Sequence, residues 1–222
     1  MKTRLIALPG FLGSGEDWDL VRAQSKADLE WICPNLFTPD SIGFASPVGD
    51  EPAWLAGYSF GARLALRWMN ENPGRWLGAL LLSANPGNFQ LENERVLRHA
   101  ADAAWGRAFR GQPWDSVMMR WNAQDVFGDA RAPLRLENGY SRGRLAEALE
   151  NFSVADQFTD PLRLPSRLAW LAGEMDRKFV ALQESERQAG FPGVFLTVPG
   201  VGHRLLHEAP GAVAAALDDL VA

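Results

Sequence analysis

The sequence predicts an α/β fold in which a mostly parallel sheet is flanked by helices. Short apolar runs that end in Pro or Gly alternate along the chain with stretches whose apolar residues recur at helical spacing. Such alternation is typical of a parallel sheet covered by helices on both faces. The 222 residues are enough for one domain with a sizeable core, so we expect a single domain over residues 1–222.

Short apolar runs bounded by turn residues predict the strands. The runs that we interpret as strands are residues 3–8, 31–33, 53–56, 77–82, 167–171 and 194–198. Helical spacing over residues 62–70, stopped by Asn-Pro-Gly at 72–74, predicts a helix directly after the third strand. An Ala-rich stretch over residues 210–220, with Pro at its start, predicts a closing helix.

The stretch from Leu91 to Phe158 interrupts this alternation. Its Trp, Arg and Ala residues recur at helical rather than strand spacing, and turn residues at 85–87 and 159–161 flank it. We therefore predict a helical cap over residues 88–160, inserted between two core strands, rather than an independent domain.

Composition limits the class of protein. A formal net charge of −5 argues against a nucleic-acid or anionic-membrane surface, which would show a basic excess. The single cysteine, Cys33, has no partner for an internal disulfide and is interpreted as a buried core thiol. Pro9 and Gly10 interrupt the first apolar run, so a signal peptide or membrane span is not expected, and we expect a cytoplasmic protein.

A nucleophile is predicted where the third strand meets its helix. Residues 57–61 read Gly-Tyr-Ser-Phe-Gly, the G-x-S-x-G pattern of a sharp turn that holds a serine above a sheet. A serine in an ordinary glycine turn is the alternative, but the strand before and the helix after favour Ser59 as a nucleophile. A serine needs a base beside it and a carboxylate to orient that base.

The base is sought among three histidines. His203 follows the last predicted strand in a glycine-rich loop, from which a side chain can reach over the strand ends. His207 is interpreted as a surface residue of the next helix, and His99 as a solvated residue of the insertion. We therefore predict His203 as the base.

The acid is sought on a loop at the same edge of the sheet. Asp176 leaves the fifth strand through Gly173, and Glu174 is its rival. With Asp176 as the acid, the chain order is Ser, Asp, His, the order expected when the nucleophile is on such an elbow.

Developing negative charge on a substrate oxygen requires backbone N–H donors. The residue after the nucleophile, Phe60, is one predicted donor, and Phe11 in the early glycine-rich loop is the other. A phosphate-binding loop is the alternative interpretation of residues 9–15, but the following Lys-Ser/Thr and the G-x-G-x-x-G spacing are both missing.

Four stretches carry a family resemblance: residues 10–18, 57–66, 173–179 and 202–203. With them the chain resembles the branch of α/β-hydrolases that contains the menaquinone-biosynthesis enzyme 2-succinyl-6-hydroxy-2,4-cyclohexadiene-1-carboxylate synthase. The resemblance implies the α/β-hydrolase fold and a triad that eliminates pyruvate from a polyanionic cyclohexene, with the serine taking a proton. It implies no metal and no organic cofactor.

The same resemblance implies a set of substrate ligands. Arginines grip the carboxylates in that family, and the matching positions are Arg63, Arg98 and Arg135, while Tyr58 and Trp121 match its site aromatics. Guanidinium groups bind carboxylates in a bidentate manner, which gives this arrangement a physical reason.

The sequence departs from the family pattern at two places, and both bear on whether the chain catalyses the same reaction as the synthase. Pro9-Gly10 stands where the family usually has His-Gly, and the loop and helix usually found before the elbow are missing or much reduced. The loss of that helix predicts either an apolar patch for a partner chain or a trimmed but working enzyme.

The leading interpretation is a lyase that resembles this synthase and acts on a small anionic substrate, as a monomer or homodimer. A carboxylesterase or thioesterase acting on a small ester is the alternative, because the same triad serves an acyl-enzyme route. A catalytically idle fold that serves as a binding module is a third interpretation, disfavoured by the complete triad.

Overall fold

A computed structural model of the chain describes residues 2–41, 43–45, 51–89 and 91–222. Its six strands are β1 (Thr3–Leu8), β2 (Leu29–Ile32), β3 (Ala53–Tyr58), β4 (Trp76–Leu82), β5 (Leu168–Gly173) and β6 (Val194–Val198). They form one sheet in the order β2-β1-β3-β4-β5-β6, in which every pair of neighbours is parallel. The predicted fold class is confirmed, and each predicted strand begins and ends within two residues of an observed one.

Among the described residues, a helix follows each strand except β2, as expected for parallel connections. The helices are α1 (Asp19–Gln24), α2 (Phe60–Glu71), α3 (Glu92–Gly111), α4 (Trp114–Asn122), α5 (Arg142–Glu150), α6 (Arg177–Gln188), α7 (Leu205–Glu208) and α8 (Pro210–Val221). No helix in the described part of the chain is long and apolar enough to cross a membrane.

The sheet is buried on both faces, because successive strand side chains point in opposite directions. Leu55 packs into the core beneath α2, together with Leu66, whereas its neighbour Trp54 packs on the other face with Val213 and Leu217 of α8. Every residue of β3 and β5 is buried. The carboxyl ends of these central strands therefore form a rigid platform for loops.

The segment between β2 and β3 explains how the fold does without a helix before the elbow. No helix is present there among residues 33–41, 43–45 and 51–52. Instead Leu36, Phe37 and Phe44 are buried in the core that contains Phe60. Side chains from irregular backbone thus fill part of the space, which argues against an open apolar patch at these positions.

The predicted cap occupies the connection from β4 to β5. Helices α3, α4 and α5 lie there, and the two ends of the insertion are tied together by hydrogen bonds. The side chain of Asn88 donates to the carbonyl of Thr159 and accepts from its N–H, each at 2.8 Å. Phe109 and Leu145 share one core with Phe60, so the insertion is packed onto the sheet rather than set apart from it.

Candidate active site

The turn from β3 into α2 places Ser59 at the carboxyl edge of the sheet. Its backbone has φ 52° and ψ −104°, a conformation that costs a non-glycine residue on the order of 1–3 kcal/mol. The flanking glycines permit the close packing of this turn. A Cβ on Gly61 would lie 2.3 Å from the carbonyl oxygen of Leu8, and one on Gly57 would lie 2.6 Å from the Cα of Ala62.

The three predicted triad residues form a hydrogen-bonded chain. Nε2 of His203 lies 3.2 Å from Oγ of Ser59, and Nδ1 of His203 lies 2.6 Å from Oδ2 of Asp176. His203 and Asp176 are 3% and 4% exposed. A buried carboxylate against Nδ1 holds the imidazole so that Nε2 faces the hydroxyl, the arrangement that activates a serine.

Glu174 and His99 are engaged elsewhere, and His207 lies outside the hydrogen-bonded chain of Ser59, His203 and Asp176. Glu174 accepts a hydrogen bond from the N–H of Gly200 at 2.8 Å, so its carboxylate braces the loop that carries His203. His99 lies 2.9 Å from Asp156 on the exposed surface of the insertion. His207 lies on α7 and is exposed as a residue. Partial desolvation of its ring lowers its pKa, the charges of Arg135 and Arg204 lower it further, and the charges of Asp17 and Glu208 oppose the shift.

The two predicted N–H donors lie beside Ser59, Phe11 in the early loop and Phe60 at the first position of α2. Within the described part of the chain, the N–H groups of Phe11 and Phe60 donate no hydrogen bond to another protein group. Their rings pack edge to face with centroids 6.5 Å apart, which joins the early loop to the start of α2. Both residues line the cavity at Ser59. The two donors are therefore available to an oxygen bound there.

A wide cleft of about 720 Å³ opens beside Ser59 and contains two predicted ligands, Arg63 and Arg98. Burial lowers the pKa of Arg63 to about 10, with a further decrease from Arg98 and an opposing effect of Asp102. Nη1 of Arg63 donates to the carbonyl of Phe152 at 3.0 Å. Among the residues that the structure describes, this positive charge hydrogen-bonds to a neutral carbonyl and forms no salt bridge, so it is available to an anion.

Arg98 is held in place from one side of its guanidinium. Its Nε donates to Oδ2 of Asp102 at 2.9 Å, and the hydroxyl of Ser153 donates to the same oxygen at 2.7 Å. Lys178 lines the same cleft, and desolvation, then the charge of Arg98, lowers its pKa against the effect of Asp176. The cleft thus gathers three cationic groups near the nucleophile.

A separate narrow pocket of about 50 Å³ contains the other predicted positions, Tyr58 and Arg135. Burial raises the pKa of the Tyr58 phenol. Nη2 of Arg135 donates to both carboxylate oxygens of Asp17, at 2.8 and 2.7 Å. Burial alone would lower the pKa of Arg135, but this contact outweighs it and raises the pKa. Arg135 is thus neutralised within the protein here, and its role as a ligand stays a prediction.

Aromatic rings form the wall between the two spaces. Trp121, the predicted aromatic of the insertion, lines both of them and packs on Phe11 with centroids 4.6 Å apart. The imidazole of His203 lies between Phe127 and Phe179, with ring centroids 5.7 and 4.8 Å away. These rings exclude water from the base, which strengthens its hydrogen bonds.

Sequence reasoning missed several residues of the site. Arg204, Lys178 and Phe127 line it, as does Ser83, whose buried hydroxyl has no hydrogen-bond partner among the described residues. Ser83 directly follows β4, and Lys178 lies two residues after Asp176, so position at the strand ends was a usable signal. No comparable signal distinguishes Arg204 from a surface arginine.

The titratable groups of the site do not form a metal centre. Across the part of the chain that the structure describes, no group of three or more His, Cys, Asp or Glu side chains is placed to hold a metal ion. Cys33 lines neither of the two spaces at Ser59 and is half-buried rather than fully buried as predicted; desolvation raises the pKa of its thiol to about 11, as expected for an unreactive thiol.

The fold and this site define a class of protein. The chain belongs to the alpha/beta hydrolase family, whose profile matches residues 3–216, and it is an enzyme of that fold. It is 33% identical to the 2-succinyl-6-hydroxy-2,4-cyclohexadiene-1-carboxylate synthase of Yersinia pestis, over 95% of this chain and 84% of the relative. The predicted family resemblance is thereby confirmed.

Solved structures agree at the level of the fold. MenH from S. aureus superposes with a TM-score of 0.80 at 18% identity, over 99% of this chain and 95% of that one. A thermophilic esterase from Thermogutta terrifontis superposes with a TM-score of 0.70 at 17% identity, over 99% and 89% of the two chains. The same backbone architecture therefore occurs in proteins with different names and activities.

Proposed function

We propose that the protein is a lyase that eliminates pyruvate to form 2-succinyl-6-hydroxy-2,4-cyclohexadiene-1-carboxylate. The observation that carries the proposal is the cation-lined cleft that opens directly onto Ser59. By its name this product has two carboxylates, one on the ring and one on the succinyl group. Arg63 and Lys178 offer positive charge, and Arg98, whose Nε binds Asp102, offers its terminal N–H groups. The curated relative has this reaction product in its name.

The elimination assigns a role to each triad residue. Ser59 removes a proton from a ring carbon while its own proton passes to Nε2 of His203, and Asp176 stabilises the imidazolium. The electron pair of the broken C–H bond shifts into the ring to form the conjugated diene. The C–O bond between the ring and the three-carbon group breaks, and the departing enolate becomes pyruvate with the proton that His203 gives up, which restores the neutral imidazole while Ser59 keeps the proton from the ring carbon.

The N–H groups of Phe11 and Phe60 stabilise negative charge in this scheme. As the proton leaves, charge develops on the carbonyl oxygen of the succinyl group, which is conjugated with the ring. Two free donors beside the nucleophile suit that oxygen. The proposal needs neither a metal ion nor an organic cofactor, because the acid-base groups of the chain supply the proton transfers.

An esterase or thioesterase is the second candidate, favoured by the same two free donors. In that case Ser59 attacks a carbonyl carbon, the donors bind the tetrahedral oxyanion, and His203 returns its proton to the leaving group. The wide cleft separates the candidates, because an ester hydrolase acting on small neutral esters has no need for the charges of Arg63 and Arg98.

The test compares two substrates on one preparation of the enzyme. Pyruvate release from the pyruvate-bearing cyclohexene precursor is measured beside hydrolysis of a p-nitrophenyl ester, for the wild type and for Ser59→Ala. Ser59-dependent turnover of the precursor far above that of the ester supports the lyase. Ester turnover far above precursor turnover supports the hydrolase, and precursor turnover that persists in Ser59→Ala rejects the role of the serine.

The remaining parts of the proposal concern the setting of the enzyme. We propose a cytoplasmic protein that acts on a small anionic substrate, as a monomer or homodimer, without a nucleic-acid partner. The net charge of −5 supports the last of these points, because nucleic-acid phosphates attract basic rather than acidic surfaces.

A further inference from the structure

The residue after the catalytic base, Arg204, has an unusual environment. It is only 7% exposed, and its Nε is buried with no hydrogen-bond partner among the described residues. Its Nη2 donates to Oδ1 of Asn122 at 3.0 Å, and its guanidinium lies 4.2 Å from the ring centroid of Phe127. Within the described part of the chain no carboxylate forms a salt bridge with it.

Among the described residues, no neighbouring carboxylate contacts the guanidinium directly, and the nearby acids bind other groups. Asp17 binds Arg135 with both carboxylate oxygens. Glu208 accepts hydrogen bonds from the N–H of Gly202 and from the backbone N–H of Arg204 itself, both at 3.0 Å. Among the described residues, the guanidinium hydrogen-bonds to one amide oxygen and lies over one aromatic ring. A buried charge held by neutral contacts is costly to maintain, and an anionic ligand offsets that cost.

Arg204 borders two spaces. One is an open cavity of about 890 Å³ that none of Ser59, Asp176 and His203 lines. The other is the narrow pocket of about 50 Å³, which shares Ser59 and His203 with the wide cleft, so a ligand that lies beside both Arg204 and Ser59 occupies this narrow pocket. One water-sized group needs about 10–15 Å³, so the pocket holds about three to five such groups. A carboxylate on a short carbon arm fits this volume, whereas a substituted six-membered ring does not.

We infer that Arg204 forms a small-carboxylate subsite in this pocket, separate from Arg63 and Arg98, and that it binds the carboxylate of the three-carbon leaving group. The assignment of that leaving group as pyruvate rests on the proposed function. The ring and its own carboxylates then occupy the wide cleft, while the bond to be broken lies where the two spaces meet, beside Ser59 and His203. The ring and the leaving group therefore lie in different spaces, and the bond that is cleaved connects them.

A purely structural role is the competing explanation. In that role Arg204 only holds the insertion against the loop that carries His203, through its contacts with Asn122 and Phe127, and its positive charge has no function in binding. Asn122→Ala removes the hydrogen-bond acceptor but leaves the guanidinium, whereas Arg204→Met removes the charge but keeps much of the aliphatic side chain. The two variants therefore separate fastening from anion binding.

The test measures binding of pyruvate to the intact protein by titration calorimetry, with uncharged pyruvamide as the control ligand. Wild type is expected to bind pyruvate and not pyruvamide. Arg204→Met is expected to weaken pyruvate binding by about tenfold or more, since a charge-assisted contact is lost. Arg204→Lys is expected to be intermediate, because the charge stays but the planar fork is lost. Arg107→Met, at an exposed position of α3, is the matched control and is expected to bind as wild type does.

The outcomes separate this inference from the proposed function. Wild type that binds no pyruvate, or pyruvate affinity that falls with Arg98→Met but not with Arg204→Met, overturns the subsite. A fall in thermal stability of Arg204→Met and Asn122→Ala with unchanged pyruvate affinity assigns Arg204 to fastening and also overturns it. Pyruvate binding that depends on Arg204, in an enzyme that releases no pyruvate from the precursor, leaves the subsite standing while the proposed reaction fails.

Discussion

Nδ1 of His203 lies 2.6 Å from Oδ2 of Asp176, and both side chains are almost wholly buried. Asp176→Asn is therefore expected to lower turnover by several powers of ten, because the amide does not hold the required tautomer or stabilise the imidazolium. Glu174→Gln keeps an oxygen for the N–H of Gly200, so a mild effect is expected. Steady-state kinetics on both variants check this ranking, and a more severe loss in Glu174→Gln would reassign the acid.

The strained backbone of Ser59 predicts opposite effects of substitution on activity and stability. Ser59→Gly is expected to abolish turnover yet raise the free energy of unfolding by about 1 kcal/mol, because glycine adopts positive φ without steric cost. Ser59→Ala is expected to abolish turnover without that gain, since it keeps the Cβ. Denaturant unfolding of the three proteins measures the difference, and equal stability of Ser59→Gly and Ser59→Ala would contradict it.

The cleft arginines predict a loss that depends on substrate charge. Arg63→Met and Arg98→Met are each expected to lower kcat/KM for an anionic substrate, with a loss of transition-state stabilisation of roughly 2–4 kcal/mol. The loss for a neutral ester is expected to be much smaller. The comparison isolates recognition, because Ser59, His203 and the backbone donors remain in place. Parallel kinetics on the cyclohexene precursor and a p-nitrophenyl ester measure both effects, and equal losses would show that these arginines act on folding or on the triad.

A buried acid far from the site predicts a pH dependence of stability. Glu186 of α6 is 8% exposed, and burial raises its pKa from 4.5 to about 7. The folded protein thus holds this proton more tightly than the unfolded chain, so stability is lost as pH rises from about 4.5 to about 7. Glu186→Gln is expected to remove that loss, which makes the variant gain stability relative to wild type at pH 8 but not at pH 4.

Thermal unfolding of Glu186→Gln and wild type at these two pH values checks the expectation. Glu184→Gln on the same helix is the control, because Arg187 and Gln188 hold the pKa of that carboxylate low, at about 2. It is expected to show no such gain at pH 8. A stability difference for Glu186→Gln that is the same at both pH values would refute the titration.

The amino-acid sequence by itself determined the strands, the tight turn at Ser59 and the residues that form the hydrogen-bonded chain of Ser59, His203 and Asp176. These features depend on local patterns: apolar runs that end in turn residues, a serine between two glycines, and polar residues just beyond strands. In a parallel sheet such loops converge at one edge, so the positions of Ser59, Asp176 and His203 followed from their order along the chain.

Only the tertiary structure decided which cations are neutralised. Arg135 pairs with Asp17, 118 positions away along the chain, whereas no carboxylate among the described residues pairs with the guanidinium of Arg204 and Glu208 binds backbone N–H groups instead. The same applies to Phe37, whose buried position within irregular backbone no periodic pattern predicts. Ion pairs and core contacts of this kind depend on how the insertion packs against the sheet, and sequence spacing carries no information about that packing.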